Sequence, residues 1–217
     1  IFDGQREHSG SALCVENGGV LSIVAANAIP SGVAVTDLGQ GMIAPGFVDL
    51  QVNGGGGVLM NDAPTVETIR TICAAHRQFG TTSLLATLIT DTPNTTSAAI
   101  AAGVEATRGR VPGFAGLHIE GPHLSKARKG THDPALIRPL TEQDLGHLLA
   151  ARQELETLYV TVAPESVTLE QVTKLSRAGI IVSIGHSDAD FETATAYIKA
   201  GARCVTHLFN AMSQLGN

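Results

Sequence analysis

Residues 81–120 read TTSLLATLITDTPNTTSAAIAAGVEATRGRVPGFAGLHIE. Thr81–Ile89 is an apolar run of strand length, Thr95–Thr107 is Ala-rich with helical periodicity, and Gly113–Ile119 is a second apolar run that ends against Glu120. Strands that are hydrophobic all along, rather than at every second residue, belong in a sheet covered on both faces, and a helix between two of them makes them parallel. The unit repeats in both directions. Further strand candidates are Gly46–Val52, Thr157–Val162, Gly179–Ile184 and Ala202–Leu208, and further helix candidates are 66–79, 141–155, 169–178 and 191–200. Thr65, Thr141 with Gln143 and Asp144, and the glycines Gly179 and Gly201 supply helix caps. Such alternation predicts an α/β fold built on a parallel sheet.

Polar residues gather where these strands end: Gln51 and Asn53, Thr90 and Asp91, Glu120, Glu165, His186 and His207. In a (β/α)8 barrel that rim carries the chemistry. An open doubly wound sheet uses the same edge but has a Gly-rich phosphate loop after its first strand. The run Gly54–Gly57 matches neither GxGxxG nor GxxxxGK[ST], so it reads as a sharp turn and only weakly as a phosphate nest. The expected fold is therefore a (β/α)8 TIM-like barrel, incomplete in this chain, with about six strands among residues 43–217. Residues 1–42 read as a separate small β unit. Ser11–Val15 and Val20–Ala25 flank an Asn17-Gly18 hairpin turn, and Val33–Leu38 is a candidate third strand.

Composition narrows the function. The 217 residues carry 14 Lys+Arg against 20 Asp+Glu, a net charge of −6, with 43% hydrophobic and 16% charged residues. That much apolar surface argues against disorder, and the acidic balance argues against a nucleic-acid partner. No run approaches the roughly 20 apolar residues of a membrane span, and no signal peptide is evident. Cys14, Cys73 and Cys204 are widely separated and form no CxxC, which suggests buried thiols in a reducing cytoplasm.

Glu120, His186 and His207 stand where three different strands should end, each beside Gly or in a short turn-prone context. Singly, each is an ordinary polar group at a strand end. Together, one carboxylate and two imidazoles with an open position form the ligand set of a catalytic divalent metal, for which zinc, iron or manganese would serve.

Residues 44–54 (APGFVDLQVNG), 118–123 (HIEGPH), 129–134 (KGTHDP), 185–189 (GHSDA) and 206–212 (THLFNAM) closely resemble, in order, the N-acetylglucosamine-6-phosphate deacetylase family of the amidohydrolase superfamily. The resemblance runs over essentially the whole chain. It implies a barrel carrying a small β-sandwich built from both termini, to which residues 1–42 would contribute. It also implies a cytoplasmic homodimer acting on a small amino-sugar phosphate, with Glu120, His186 and His207 holding one divalent ion, most simply Zn2+. Gln51 and Asn53 occupy the place of a His-x-His pair that holds a second metal in many amidohydrolases. Amides are weak ligands, so the site is expected to be mononuclear and these two residues to face substrate. By the same resemblance His132 contacts the sugar, and Asn210 and Ala211 help hold the phosphate. Lys126, Arg128 and Lys129 form a basic cluster that is either a solvated loop or a guide for an anionic substrate. His118 and His123 are expected to support the site without ligating, and His8, His76 and His147 to be surface or packing residues.

A metal of this type lowers the pKa of bound water from about 16 towards 7 and polarises an acetamide carbonyl. A general acid/base must then protonate the departing amine. The family uses an Asp at the eighth strand, which this sequence, ending at Asn217, does not include. Asp188 and Asp190 lie in a loop entering a helix, where Asp commonly caps. The chain is thus expected to be part of a longer protein, inactive and poorly folded when expressed alone. Two other readings remain open: a superfamily hydrolase of another N-acyl or cyclic amide, such as N-acetylgalactosamine 6-phosphate, and a non-catalytic homologue that binds metal or sugar phosphate.

Overall fold

The computed structural model describes residues 1–213. Contacts divide the chain into two compact units, Ile1–Phe47 and Val48–Asn217. In the first, β1 (Ser11–Glu16) and β2 (Gly19–Ala25) form an antiparallel hairpin. Asn17 and Gly18 close it with φ of 51° and 77°, the left-handed pair that a two-residue hairpin turn requires. The candidate strand Val33–Leu38 does not form. That segment has no strand assignment, and Val33, Val35 and Leu38 are all exposed, so their β-forming side chains find no sheet face to pack on.

From the boundary at Phe47 onward come β3 (Phe47–Val52), a small antiparallel pair β4 (Gly54–Gly55) and β5 (Val58–Leu59), α1 (Val66–Arg77), β6 (Thr81–Ile89), α2 (Pro93–Arg108) and β7 (Phe114–Glu120). The chain continues with α3 (Glu142–Glu154), β8 (Leu158–Val162), α4 (Leu169–Arg177), β9 (Ile181–Ile184), α5 (Phe191–Ala200) and β10 (Cys204–Val205). The main sheet runs β3-β6-β7-β8-β9-β10, so sheet order equals chain order, and it curls into a half-barrel with helices outside. Each helix begins on a side chain that accepts a first-turn N–H: Thr65, Thr92 ahead of Pro93, Thr141, Thr168 and Asp190. Thr141 with Asp144, and Thr168 with Gln171, complete reciprocal capping boxes.

The core lies between sheet and helices. Leu84, Ala86 and Leu88 of β6, Leu117 and Ile119 of β7, and Val160, Val162, Val182 and Ile184 of β8 and β9 share one buried cluster with Ala99, Ala102 and Ala106 of α2 and Val172 and Leu175 of α4. Burying each large aliphatic side chain contributes about 1.5–3 kcal/mol. The alternate positions are polar, which the apolar reading of the strands did not anticipate. Thr87, His118, Thr161, Ser183 and Thr206 are all buried, and they hydrogen-bond among themselves or to backbone. This polar layer lines the inside of the curled sheet, beneath the rim.

The last strand is also shorter than expected. Only Cys204 and Val205 pair with β9, and from His207 the chain adopts left-handed backbone at His207, Phe209 and Ala211, with φ of 56°, 63° and 46°. No strand accommodates those angles, so Ala202–Leu208 is two strand residues followed by a turn.

Candidate metal centre

Glu120 is the last residue of β7, and the ladder sets it opposite Ile89 on one side and Thr161 on the other. Its side chain is buried. His186 follows β9 at a φ of 50°, and His207 follows β10, so both imidazoles leave the sheet through turns rather than as strand residues. The three side chains converge: His186 Nε2 lies 3.1 Å and His207 Nε2 3.0 Å from the same Oε1 of Glu120. Gln51, near the end of β3, donates its amide to Oε2 of Glu120 at 2.9 Å.

His132 joins the cluster from the loop between β7 and α3. Its Nε2 lies 3.8 Å from Glu120 Oε2, and its ring centroid is 4.5 Å from that of His186. The donor atoms of Glu120, His132 and His186 all fall within 4.8 Å of one another. The cluster is therefore one carboxylate surrounded by three imidazoles and an amide. Asn53 stands differently: its carbonyl accepts the Met60 N–H, while Gln51 makes the amide contact to Glu120.

Electrostatics favour a cation here. Burial alone would push the Glu120 carboxyl up, but the His186 hydrogen bond and the facing charges of His118, His132 and His186 outweigh it and bring its pKa to about 2. Burial depresses His132 to about 4 against the opposing pull of Glu120. For His186 burial is also the largest influence and downward, yet the bonds to Glu120 and the Arg128 carbonyl raise the ring above its ordinary value. A carboxylate ionised at neutral pH beside imidazoles is a donor set suited to a divalent ion.

The surrounding residues sort themselves by their partners. His118, in the polar layer, bonds Leu50 O at 3.0 Å and Thr161 Oγ1 at 2.7 Å, so both ring nitrogens are engaged away from the cluster. His123 bonds the Arg138 carbonyl. Arg128 of the basic loop grips Asp188 Oδ1 through Nε and Nη2 at 2.9 and 2.6 Å, while its carbonyl holds His186. Asp188 is thus an ion-pair partner rather than a cap; Asp190 is the cap of α5. Asn210 turns its Oδ1 onto the Ala211 N–H at 3.1 Å. Gly54–Gly57 opens the β4–β5 turn against α1, where a Cβ on Gly55 would lie 2.9 Å from the His76 ring, and Gly56 and Gly57 take left-handed φ of 64° and 85°. His76 itself bonds Gly54 O. Thr90 and the Arg128 carbonyl, which hold His132 and His186, carried no motif: a backbone acceptor leaves no mark in a sequence, and Thr90 showed only as a strand end.

Residues 42–216 match the amidohydrolase family model. The chain belongs to the amidohydrolase family. This amidohydrolase is 51% identical over 178 residues to the N-acetylgalactosamine-6-phosphate deacetylase of Shewanella sp. (strain ANA-3), covering 82% of this chain and 45% of that protein. It is 37% identical over 202 residues to the N-acetylglucosamine-6-phosphate deacetylase of Haemophilus influenzae, covering 93% and 52%. The crystal structure of N-acetylglucosamine-6-phosphate deacetylase from Pasteurella multocida superposes with a TM-score of 0.87 at 31% identity, covering 97% of this chain and 55% of that one. The chain spans about half the length of the curated relatives it matches. Amidohydrolases are generally metal-dependent, and the Glu and His side chains clustered at this rim are able to bind a metal.

Proposed function

We propose that the protein carrying this chain hydrolyses the acetamide of N-acetylglucosamine 6-phosphate to glucosamine 6-phosphate and acetate, using one divalent ion, zinc, held by Glu120, His186 and His207. The observation that carries this reading is the meeting of His186 Nε2 and His207 Nε2 on one oxygen of Glu120 at the rim of an amidohydrolase barrel. A divalent ion in that donor set would supply Lewis acidity towards the acetamide carbonyl and the attacking water.

The chain's own residues do the rest. Gln51 fixes the rotation of Glu120 through Oε2, which leaves Oε1 to the two imidazoles. The polar layer under the rim keeps the floor rigid, because each hydroxyl there has a partner. His132, Gln51 and Asn53 face the sugar amide, and Asn210 with the Ala211 N–H takes the phosphate once the short-range bond between them opens. Proton transfer to the departing amine is assigned to the family's eighth-strand aspartate and to neither Asp188 nor Asp190, which serve Arg128 and the α5 N-terminus. The same reading makes the protein a cytoplasmic homodimer.

A second reading is favoured by one observation, the 51% identity to an N-acetylgalactosamine-6-phosphate deacetylase: the substrate is the galacto epimer. Acetate release from the two 6-phosphates, assayed side by side with and without a chelator, decides. Chelator-sensitive release from the gluco substrate is the expected result, faster turnover of the galacto epimer would move the assignment to it, and no release from either in metal-loaded protein would favour a binding homologue.

A further inference from the structure

Distance alone groups His132 with Glu120 and His186 as a metal-binding set. The hydrogen bonds behind the two rings divide them. The backbone N–H of Thr90 points at His132 Nδ1 from 3.3 Å, and the Thr90 hydroxyl lies 2.7 Å from the same atom. A backbone N–H can only donate, so Nδ1 must be the acceptor and carry a lone pair. The ring proton then sits on Nε2, the nitrogen that faces Glu120 Oε2. A doubly protonated ring would set two N–H groups against each other at Thr90. His186 has the opposite arrangement. Its Nδ1 lies 2.9 Å from the Arg128 carbonyl, which can only accept, so Nδ1 holds a proton and Nε2 is the nitrogen left to offer a lone pair to a metal.

We propose that Thr90 is a positioning residue that holds His132 as the Nε2–H tautomer, so that His132 meets the site as a hydrogen-bond donor and stays outside the metal's ligand set. Two rings with centroids 4.5 Å apart thereby take opposite parts. A donor next to the carboxylate suits an acceptor oxygen on a bound ligand. Under the proposed function that oxygen belongs to the N-acetyl sugar, and this last step alone rests on that reading. Thr90 is buried, and its hydroxyl oxygen lies 2.7 Å from His132 Nδ1 against 3.5 Å from the Glu120 carbonyl, so its single proton goes to the nearer imidazole.

The test is the ring nitrogen spectrum of protein labelled with 15N-histidine, assigned with His132→Asn and His186→Asn, together with metal content per chain. His132 should show a pyridine-type Nδ1 and a pyrrole-type Nε2, and His186 a pyrrole-type Nδ1. His132→Asn should keep the full metal equivalent, whereas His186→Asn loses it. Thr90→Val keeps the backbone N–H and so should keep the tautomer, but it loses the hydroxyl that seats the ring and should lower kcat/KM at least 10-fold with the metal equivalent unchanged; Thr90→Ser should restore the rate. A protonated Nδ1 on His132, loss of metal in His132→Asn, or an unchanged kcat/KM in Thr90→Val would each overturn the proposal. The first two need no change at Thr90, so poor folding of that variant does not protect it. Protein that shows the tautomer pattern but releases no acetate from either sugar phosphate would leave the assignment standing and remove the functional reading.

Discussion

The side-chain amide of Gln51 donates to Glu120 Oε2 at 2.9 Å, from a strand 69 residues earlier in the chain. This contact turns the carboxylate so that Oε1 meets both His186 and His207. An imidazole in place of Gln51 would offer a ligand to a second metal; here an amide stands as an orienting donor. Metal analysis of purified protein should give one equivalent per chain, and two tightly bound equivalents would contradict this. Gln51→Ala should weaken metal binding about 10-fold to 100-fold, the usual cost of losing an outer partner, read by competition with a chelator.

Metal binding should follow the imidazoles and not the carboxylate as pH falls. Glu120 remains ionised down to about 2, whereas the His186 ring, raised by Glu120 and the Arg128 carbonyl, gains its proton above the ordinary histidine value. A protonated imidazole cannot ligate, so affinity is highest above that value and declines as pH drops through it. Titration of metal release should show an acid limb starting near or above pH 6.5, the unperturbed histidine value. His186→Asn should abolish tight binding, and a limb confined to pH below 4 would point to Glu120 instead.

How much of this was legible beforehand differs from residue to residue. The alternation of strand and helix and the starts of α1 and α3 were legible, because caps such as Thr65 and Thr141 and the Ala-rich face of α2 act locally. Glu120, His186 and His207 were legible as strand-end residues, but the left-handed turns that deliver the two histidines were not, since the apolar run Ala202–Leu208 looks like strand until its backbone angles are known. Val33–Leu38 failed for the opposite reason: its residues favour a strand, but none of the described residues pairs with it. The place of His132 within 4.8 Å of Glu120 depends on how a loop folds back, and no periodicity encodes that.

Asp144 joins the rim loop to the outer helices. It caps Thr141 at the start of α3 and holds Arg138 through a two-pronged pair, with Nη2 to Oδ1 at 2.7 Å. The Arg138 bond, the largest influence, holds its carboxyl well below the usual carboxylate range. A depressed folded-state pKa contributes stability above the unfolded value of about 3.9 and loses it as pH falls through that value towards the folded one. Asp144→Ala should therefore cost about 1–2 kcal/mol at pH 7, from the lost cap. In denaturant melts the gap between wild type and variant should narrow below about pH 4. A gap that stays constant down to pH 2 would show that the charge is not involved.

Gly121 sets how closely Thr90 approaches the rim. It has a φ of 85°, and a Cβ there would lie 2.2 Å from the Thr90 hydroxyl oxygen, with Leu124 also in contact at 3.0 Å. A methyl group therefore meets two obstacles, a left-handed backbone that costs about 1 kcal/mol or more for a residue with a side chain, and an overlap that displaces the hydroxyl from His132 Nδ1. Gly121→Ala should lower stability by about 1–3 kcal/mol. It should also reduce kcat/KM more than a distant core change of equal stability cost. Leu175→Ala supplies that comparison, because Leu175 is fully buried on α4 in the apolar cluster between sheet and helices. Equal activity in the two variants would mean that the Thr90 hydroxyl can move without consequence, and that the tight turn at Gly121 serves packing alone.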